Sequence, residues 1–165
     1  MNYFETNEKN DWKLLTEFNE KTHLFKNLTQ CPEKHHADAS GQTQDGRSVV
    51  IELKKRNVVL TKSGKFSGTT FKDENLFIEA HKFCDMWTET FDGNIPLYIN
   101  LLENDVVAVY ILNSITTKPT TQKKIIKSNG YQAFEIGHRM GLNIKDALIF
   151  KGNKIIKKQG EEWKQ

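Results

Sequence analysis

Apolar residues fall in short runs along this chain, and the period of those runs changes from segment to segment. Leu14, Leu15 and Phe18 recur at helical spacing behind Asp11, so the pattern predicts a first helix capped by Asp11. His23 to Leu28 is predicted as a strand. Ala37 to Thr43 and Arg47 to Lys55 read as a hairpin, whose second arm carries Val49, Val50, Ile51 and Leu53 as a buried strand would. Lys62 to Thr70 is rich in Gly, Ser, Thr and Lys and is expected to be a mobile loop. Behind Asp73 as a cap, the stripe Leu76, Phe77, Ala80, Phe83, Cys84, Trp87 predicts a second helix, ended by Asp92-Gly93. Ile95 to Leu102 and Val106 to Leu112 are two further strands, turning at Glu103-Asn104-Asp105. Thr116 to Thr121 is a polar connection containing Pro119. Near the end, Leu148-Ile149-Phe150 and Ile155-Ile156 flank a Gly152-Asn153 turn. No internal repeat is present.

This order predicts an α/β (α+β) fold, a central mixed sheet flanked by helices. The 165 residues fit one domain. Residues 1–117 read as its core and 118–165 as an appended basic β region packed on it. Hydrophobic residues make up 37%, too many for a disordered chain, and no apolar run nears the ~20 residues of a membrane span. The polar, acidic stretch Met1 to Asn10 is no signal peptide. Cys31 and Cys84 lack CxxC spacing and read as reduced thiols. A cytoplasmic protein without a structural zinc site is expected. The net charge of +3 is unevenly spread. From Lys118 onward eleven Lys and Arg stand against four Asp and Glu, a balance of +7, whereas the first 117 residues carry −4. A basic segment on an acidic body suits a polyanion such as nucleic acid; the plainer reading is a solvated lysine-rich tail.

The chemistry concentrates in His35-His36-Ala37-Asp38, Gln44-Asp45-Gly46 and Glu52-Leu53-Lys54-Lys55-Arg56. An acidic-x-Lys triplet occurs three times, at Asp11, Glu52 and Glu162, but only Glu52-Leu53-Lys54 lies in an apolar strand. The period of two there puts Glu52 and Lys54 on one face. If Gln44-Asp45-Gly46 is a three-residue loop closed by a left-handed Gly46, Thr43 meets Arg47 and Asp38 meets Glu52. A two-residue Asp45-Gly46 loop would place Asp38 opposite Leu53 and dismantle the site. Opposed carboxylates repel on a bare sheet, and a hard cation such as Mg²⁺ removes that penalty. Lys54 beside them could stabilise a phosphorane or position water. The competing reading is three charges on a solvated sheet face.

This hairpin resembles the core of the PD-(D/E)xK nucleases, the superfamily of restriction endonucleases and archaeal-type Holliday junction resolvases. The resemblance spans roughly Asp11 to Leu112 and extends to element order: helix, three strands, helix, strand. It departs at the proline, where Ala37 stands. It implies a restriction endonuclease-like core, Asp38 and Glu52 as metal ligands, the carbonyl of Leu53 as a further ligand, and Lys54 as the catalytic lysine. It also implies a glutamate from the first helix, for which Glu17 fits best. The cofactor implied is Mg²⁺, with Mn²⁺ as substitute. The partner implied is nucleic acid, DNA ahead of RNA. The small size and lack of a recognisable specificity domain favour a structure-selective or minimal endonuclease over a sequence-reading one, and analogy with resolvases implies a homodimer.

Lys55 and Arg56 extend the strand towards phosphates, and Lys123, Lys124 and Lys127 offer a further grip. His35 and His36 precede Asp38 and could touch metal or phosphate; the plainer reading is an exposed loop pair. Glu79 and His81 border the second helix; Glu135, His138 and Arg139 have no spacing that makes a site. No nucleophile elbow, phosphate loop or dinucleotide fingerprint occurs. Two other functions stay open: a catalytically silent nuclease fold serving as a nucleic-acid-binding or interaction module, and an RNA-processing nuclease.

Overall fold

The computed structural model describes residues 3–33, 35–69, 74–116, 120–127 and 134–164, without the side chains of 3–9, 120–127 and 134–137. The first helix, α1 (Tyr3–Thr22), begins eight residues before Asp11. Asp11 is therefore not a cap but a mid-helix residue. The polar residues before it carry no apolar stripe, yet continue the helix. Leu15 and Phe18 are buried on its inner side. The helix ends at His23, whose φ of 51° is left-handed and whose N–H donates to Asn19 O. The Asn19 amide then bonds both backbone groups of Phe25, which turns the chain into β1 (Phe25–Gln30).

β1 pairs antiparallel with β2 (Ala39–Thr43), and β2 with β3 (Ser48–Lys55). Ala39 faces Ile51 and Gln42 faces Ser48, and Thr43 N–H donates to Arg47 O at 2.8 Å. The loop is thus Gln44-Asp45-Gly46, with Gly46 at φ 89°, so the ladder has the three-residue-loop register. After β3 come the small hairpin β4 (Val58–Leu60) and β5 (Phe66–Gly68), then β6 (Leu76–Glu79) and helix α2 (Ala80–Thr88). The chain returns as β7 (Ile95–Leu101), parallel to β3. β8 (Val106–Ile111) pairs antiparallel with β7. β9 (Thr120–Lys127) and β10 (Phe134–Leu142) form a hairpin, and so do β11 (Ala147–Lys151) and β12 (Lys154–Lys157).

The central sheet has seven strands in the order β1-β2-β3-β7-β8-β11-β12, mixed because of the β3–β7 pair. A second sheet has the order β6-β10-β9. The described strands of the basic C-terminal region, β9 to β12, share both sheets with the earlier strands. Helix α1, strands β1 to β3, helix α2 and strand β7 follow in the expected order, but three short strands that were not expected, β4 to β6, stand between β3 and α2. One apolar cluster packs Leu15 and Phe18 of α1 on Ile51, Leu53, Ile99 and Val109. The other packs Leu76, Ile78 and Met86 on Val50, Tyr98, Ala108 and Tyr110 of the opposite face. Period two along β3 therefore sends Leu53 towards α1 and Glu52 towards α2.

Two expectations need correction. Leu76 to Glu79 is a strand, not the first turn of a helix, and α2 buries Met86 while Cys84 and Trp87 are exposed. Burial of Leu76 and Ile78 across from Leu142 and Met140 of β10, some sixty residues away, outweighs the local helical stripe. Asp73, its expected cap, and Pro119 lie outside the described residues. Within Lys62 to Thr70, Phe66 to Gly68 is strand rather than loop, because Phe66 is fully buried and exchanges two backbone hydrogen bonds with Glu74.

The turn of that hairpin is fastened by the C-terminal segment. Trp163 Nε1 donates to Lys62 O at 2.8 Å, and its ring covers Gly64, which sits at φ 75°. A Cβ on Gly64 would lie 2.6 Å from the indole. Gly64→Ala is expected to cost about 2 kcal/mol from the positive φ and the displaced ring. Chemical denaturation checks this; an unchanged midpoint would contradict the fastening. Within the outer hairpin, Lys157 is buried with its ammonium on the carbonyls of Lys145, Ala147 and Lys158, at 2.9 to 3.0 Å. Burial pushes its pKa down.

Candidate functional site

The site forms where the β2–β3 ladder ends. Beyond the Ala39–Ile51 pair the chain leaves strand geometry, and Asp38 N–H donates to Ile51 O at 2.9 Å. The exposed Asp38 carboxylate turns along β3 and accepts from Leu53 N–H through Oδ2 at 2.7 Å. In an extended strand the N–H and C=O of one residue point to the same side. The Leu53 carbonyl therefore points past the end of β2, towards Asp38.

Asp38, Glu52, Leu53 and Lys54 line one cleft of about 230 Å³ together with Asp11, Trp12 and Cys31. The helix carboxylate in this cleft is Asp11, not Glu17. Glu17 lies six residues further along α1, well round the helix. It pairs with Lys13 at 3.8 Å and lines a different cleft, with Lys21, Lys55 and Arg56.

Electrostatics agree with three carboxylates crowded together. Burial, and after it the charge of Asp38, push Glu52 up to about 7. Burial and then Asp38 also raise Asp11, opposed by Lys55 and Lys54. A second lysine enters from α2: Lys82 Nζ stands 3.1 Å from Glu52 Oε2 and donates to His36 O at 3.0 Å. Lys54 is exposed on the Glu52 face of β3 and acts on Glu52 more weakly than Lys82 does. Sequence reasoning passed over Asp11 and Lys82. The Asp11-Trp12-Lys13 triplet was a signal for the first, once the helix is allowed to begin before it. Lys82 gave no signal, because the phase of α2 was read from Leu76.

His35 and His36 are stacked, with ring centroids 4.5 Å apart. Unlike an exposed pair, His36 is half-buried and its Nε2 pairs with the buried carboxylate of Glu89. Asn94 donates to the other oxygen of Glu89 at 2.8 Å. His35 Nδ1 accepts from Ala37 N–H. These contacts shape the loop that carries Asp38.

Arg56 is placed differently from the expected phosphate contact. Its Nε donates to Asn100 Oδ1 at 2.9 Å, and Nη2 donates to Phe77 O and Tyr98 Oη at 2.6 and 2.8 Å. The guanidinium lies over the Phe77 ring, which Arg139 covers as well. Past β3 the backbone pairing with β7 continues, with Arg56 N–H on Leu101 O, and the guanidinium ties β6 to β7. Lys55 is exposed. Lys123, Lys124 and Lys127 are on β9, and their side chains, like that of Glu135, lie outside the described residues. Glu79 and His81 pair with each other at 3.5 Å, and both are exposed.

The donor set of the cleft suits a divalent ion. Three carboxylates, two of them with proton affinity raised by burial and by the charge of Asp38, stand beside a strand carbonyl as hard oxygen ligands needing positive charge. No family model and no curated protein matches the chain. A solved structure is similar: the Holliday junction resolvase Hjc of Archaeoglobus fulgidus, at 11% identity and a TM-score of 0.45, over 79% of each chain. Among the described residues no helix is long and apolar enough to cross a membrane.

Proposed function

We propose that the protein is a Mg²⁺-dependent endonuclease acting on DNA, with Mn²⁺ as substitute. The observation that carries this reading is the convergence of Asp11, Asp38 and Glu52 on one cleft beside Lys54. In this reading Asp38, Glu52 and the Leu53 carbonyl hold the ion, and Asp11 takes the part first assigned to Glu17. The bound ion supplies Lewis acidity and a more acidic water. The chain's own residues do the rest. Leu53 N–H holds the Asp38 carboxylate in place, so its free oxygen keeps its direction as charge develops. Lys54, exposed at the mouth of the cleft, meets the negative charge that builds on a scissile phosphate. Lys55 continues the line of positive charge towards neighbouring phosphates, and Lys123, Lys124 and Lys127 extend the grip.

The direct test is cleavage of duplex, branched and single-stranded DNA, with RNA counterparts, in Mg²⁺, Mn²⁺, Ca²⁺ or EDTA. Cleavage is expected with Mg²⁺ and Mn²⁺, and none with EDTA. Ca²⁺, with its looser coordination, is expected to bind without turnover. Cleavage that persists in EDTA removes the metal mechanism. Metal-dependent cutting of RNA alone moves the substrate class to RNA. Binding without cutting on any substrate leaves the fold as a binding module.

A further inference from the structure

Lys82 holds an unusual post for a lysine in a metal-binding cleft. Its ammonium contacts Glu52, one of the carboxylates that would hold the ion, at 3.1 Å. Both groups are largely covered: the Lys82 side chain is 28% exposed and that of Glu52 12%. The ammonium offsets part of the cost of covering the Glu52 carboxylate, which burial and the charge of Asp38 still outweigh. A Mg²⁺ ion sits about 2.1 Å from a carboxylate oxygen. Placed on Glu52, it would confront the ammonium across a few ångströms in a site that screens charge poorly. Both can share the carboxylate, one on each oxygen, only at the cost of that repulsion, so each weakens the hold of the other.

The second partner of Lys82 makes its departure feasible. The His36 carbonyl accepts from Nζ at 3.0 Å and does not depend on the charge state of Glu52. This carbonyl belongs to the loop that ends in Asp38, held in turn by the contact of His36 with Glu89. Lys82 can leave Glu52 and stay tied to the loop, with its charge still beside the cleft.

We infer that Lys82 is a built-in counter-cation of Glu52 that competes with the divalent ion for that carboxylate and so sets the metal affinity of the site. This rests on the nuclease reading. It makes Lys82 a positioning residue: it holds Glu52 before the ion arrives and couples α2 to the occupancy of the cleft.

The experiment is Mn²⁺ binding to the full chain without nucleic acid, followed by the electron paramagnetic resonance of free Mn²⁺. Lys82→Met keeps the length of the side chain and removes the charge. It is expected to bind Mn²⁺ about tenfold more tightly than the parent, near 1.4 kcal/mol. Lys54→Met is expected to gain less, and Asp38→Asn to lose binding. Lys82→Gln, which removes the charge but keeps an N–H donor, repeats the test should the methionine variant fail to fold. Unchanged or weaker binding in both Lys82 variants overturns the inference. So does a gain in Lys54→Met as large as that of Lys82→Met, which would reflect total charge rather than this pair. A parent that binds no Mn²⁺ in an Asp38-dependent way takes down the nuclease reading and this inference with it.

Discussion

Asp38→Asn and Glu52→Gln are each expected to lower the single-turnover rate of DNA cleavage at saturating Mg²⁺ at least a thousandfold, about 4 kcal/mol of transition-state stabilisation. Each replacement keeps the size of the side chain and the hydrogen bond to Leu53 N–H or Lys82, and removes one negative charge from the donor set. Far-UV dichroism is expected to match the parent. The helix carboxylate separates the two candidates: Asp11→Asn is expected to lose more than tenfold, whereas Glu17→Gln, in the neighbouring cleft, keeps the parent rate. A rate for Asp38→Asn within tenfold of the parent would remove the hairpin carboxylates from the chemistry. A loss confined to Glu17→Gln would return the helix role to that residue.

Without metal, the protein is expected to lose stability as the pH rises from 4.5 to about 7. Glu52 has its folded-state pKa raised from 4.5 to about 7, so the folded state takes up this proton more readily than the unfolded chain. The stabilisation is fully present below pH 4.5 and is gone above pH 7. A shift of that size corresponds to roughly 3 kcal/mol, or on the order of 10 °C in melting temperature for a chain of this length. The attraction of Lys82 works against the shift, but burial and Asp38 outweigh it. Glu52→Gln has no proton to lose there. Its melting temperature in EDTA is expected to exceed that of the parent at pH 8 and to converge with it near pH 4.5. Parallel melting curves for the two proteins between pH 5 and 8 would contradict the burial of this carboxylate.

The parts of the site that the sequence disclosed are local ones. A left-handed Gly46 suits a two-residue or a three-residue loop, and the three-residue one that forms decides which residue stands nearest Glu52. Alternation along β3 assigns Glu52 and Lys54 to one face without further information. What stayed hidden depended on distant partners. The strand at Leu76 to Glu79 exists because β10 pairs with it, and four apolar residues leading into a helix look helical until that partner is known. The mistaken start of α2 then removed any basis for aiming Lys82 at the site. Asp11 was misplaced for the opposite reason: α1 continues through polar residues whose pattern has no periodicity to read. Arg56 shows the limit of reading charge as exposure, since it follows an exposed lysine yet its guanidinium finds carbonyl and hydroxyl acceptors on β6 and β7.

The burial of Lys157 gives the outer hairpin a chemical clock. Amine-directed acylation modifies lysines whose nitrogen lone pair is free and accessible, conditions that Lys154 and Lys158 on either side meet more readily. The Lys157 nitrogen is enclosed by three carbonyls and becomes reactive only when β12 detaches from β11. Its labelling rate, measured by peptide mass against its neighbours, therefore times the detachment of the last strand of the central sheet while the rest of the fold stays intact.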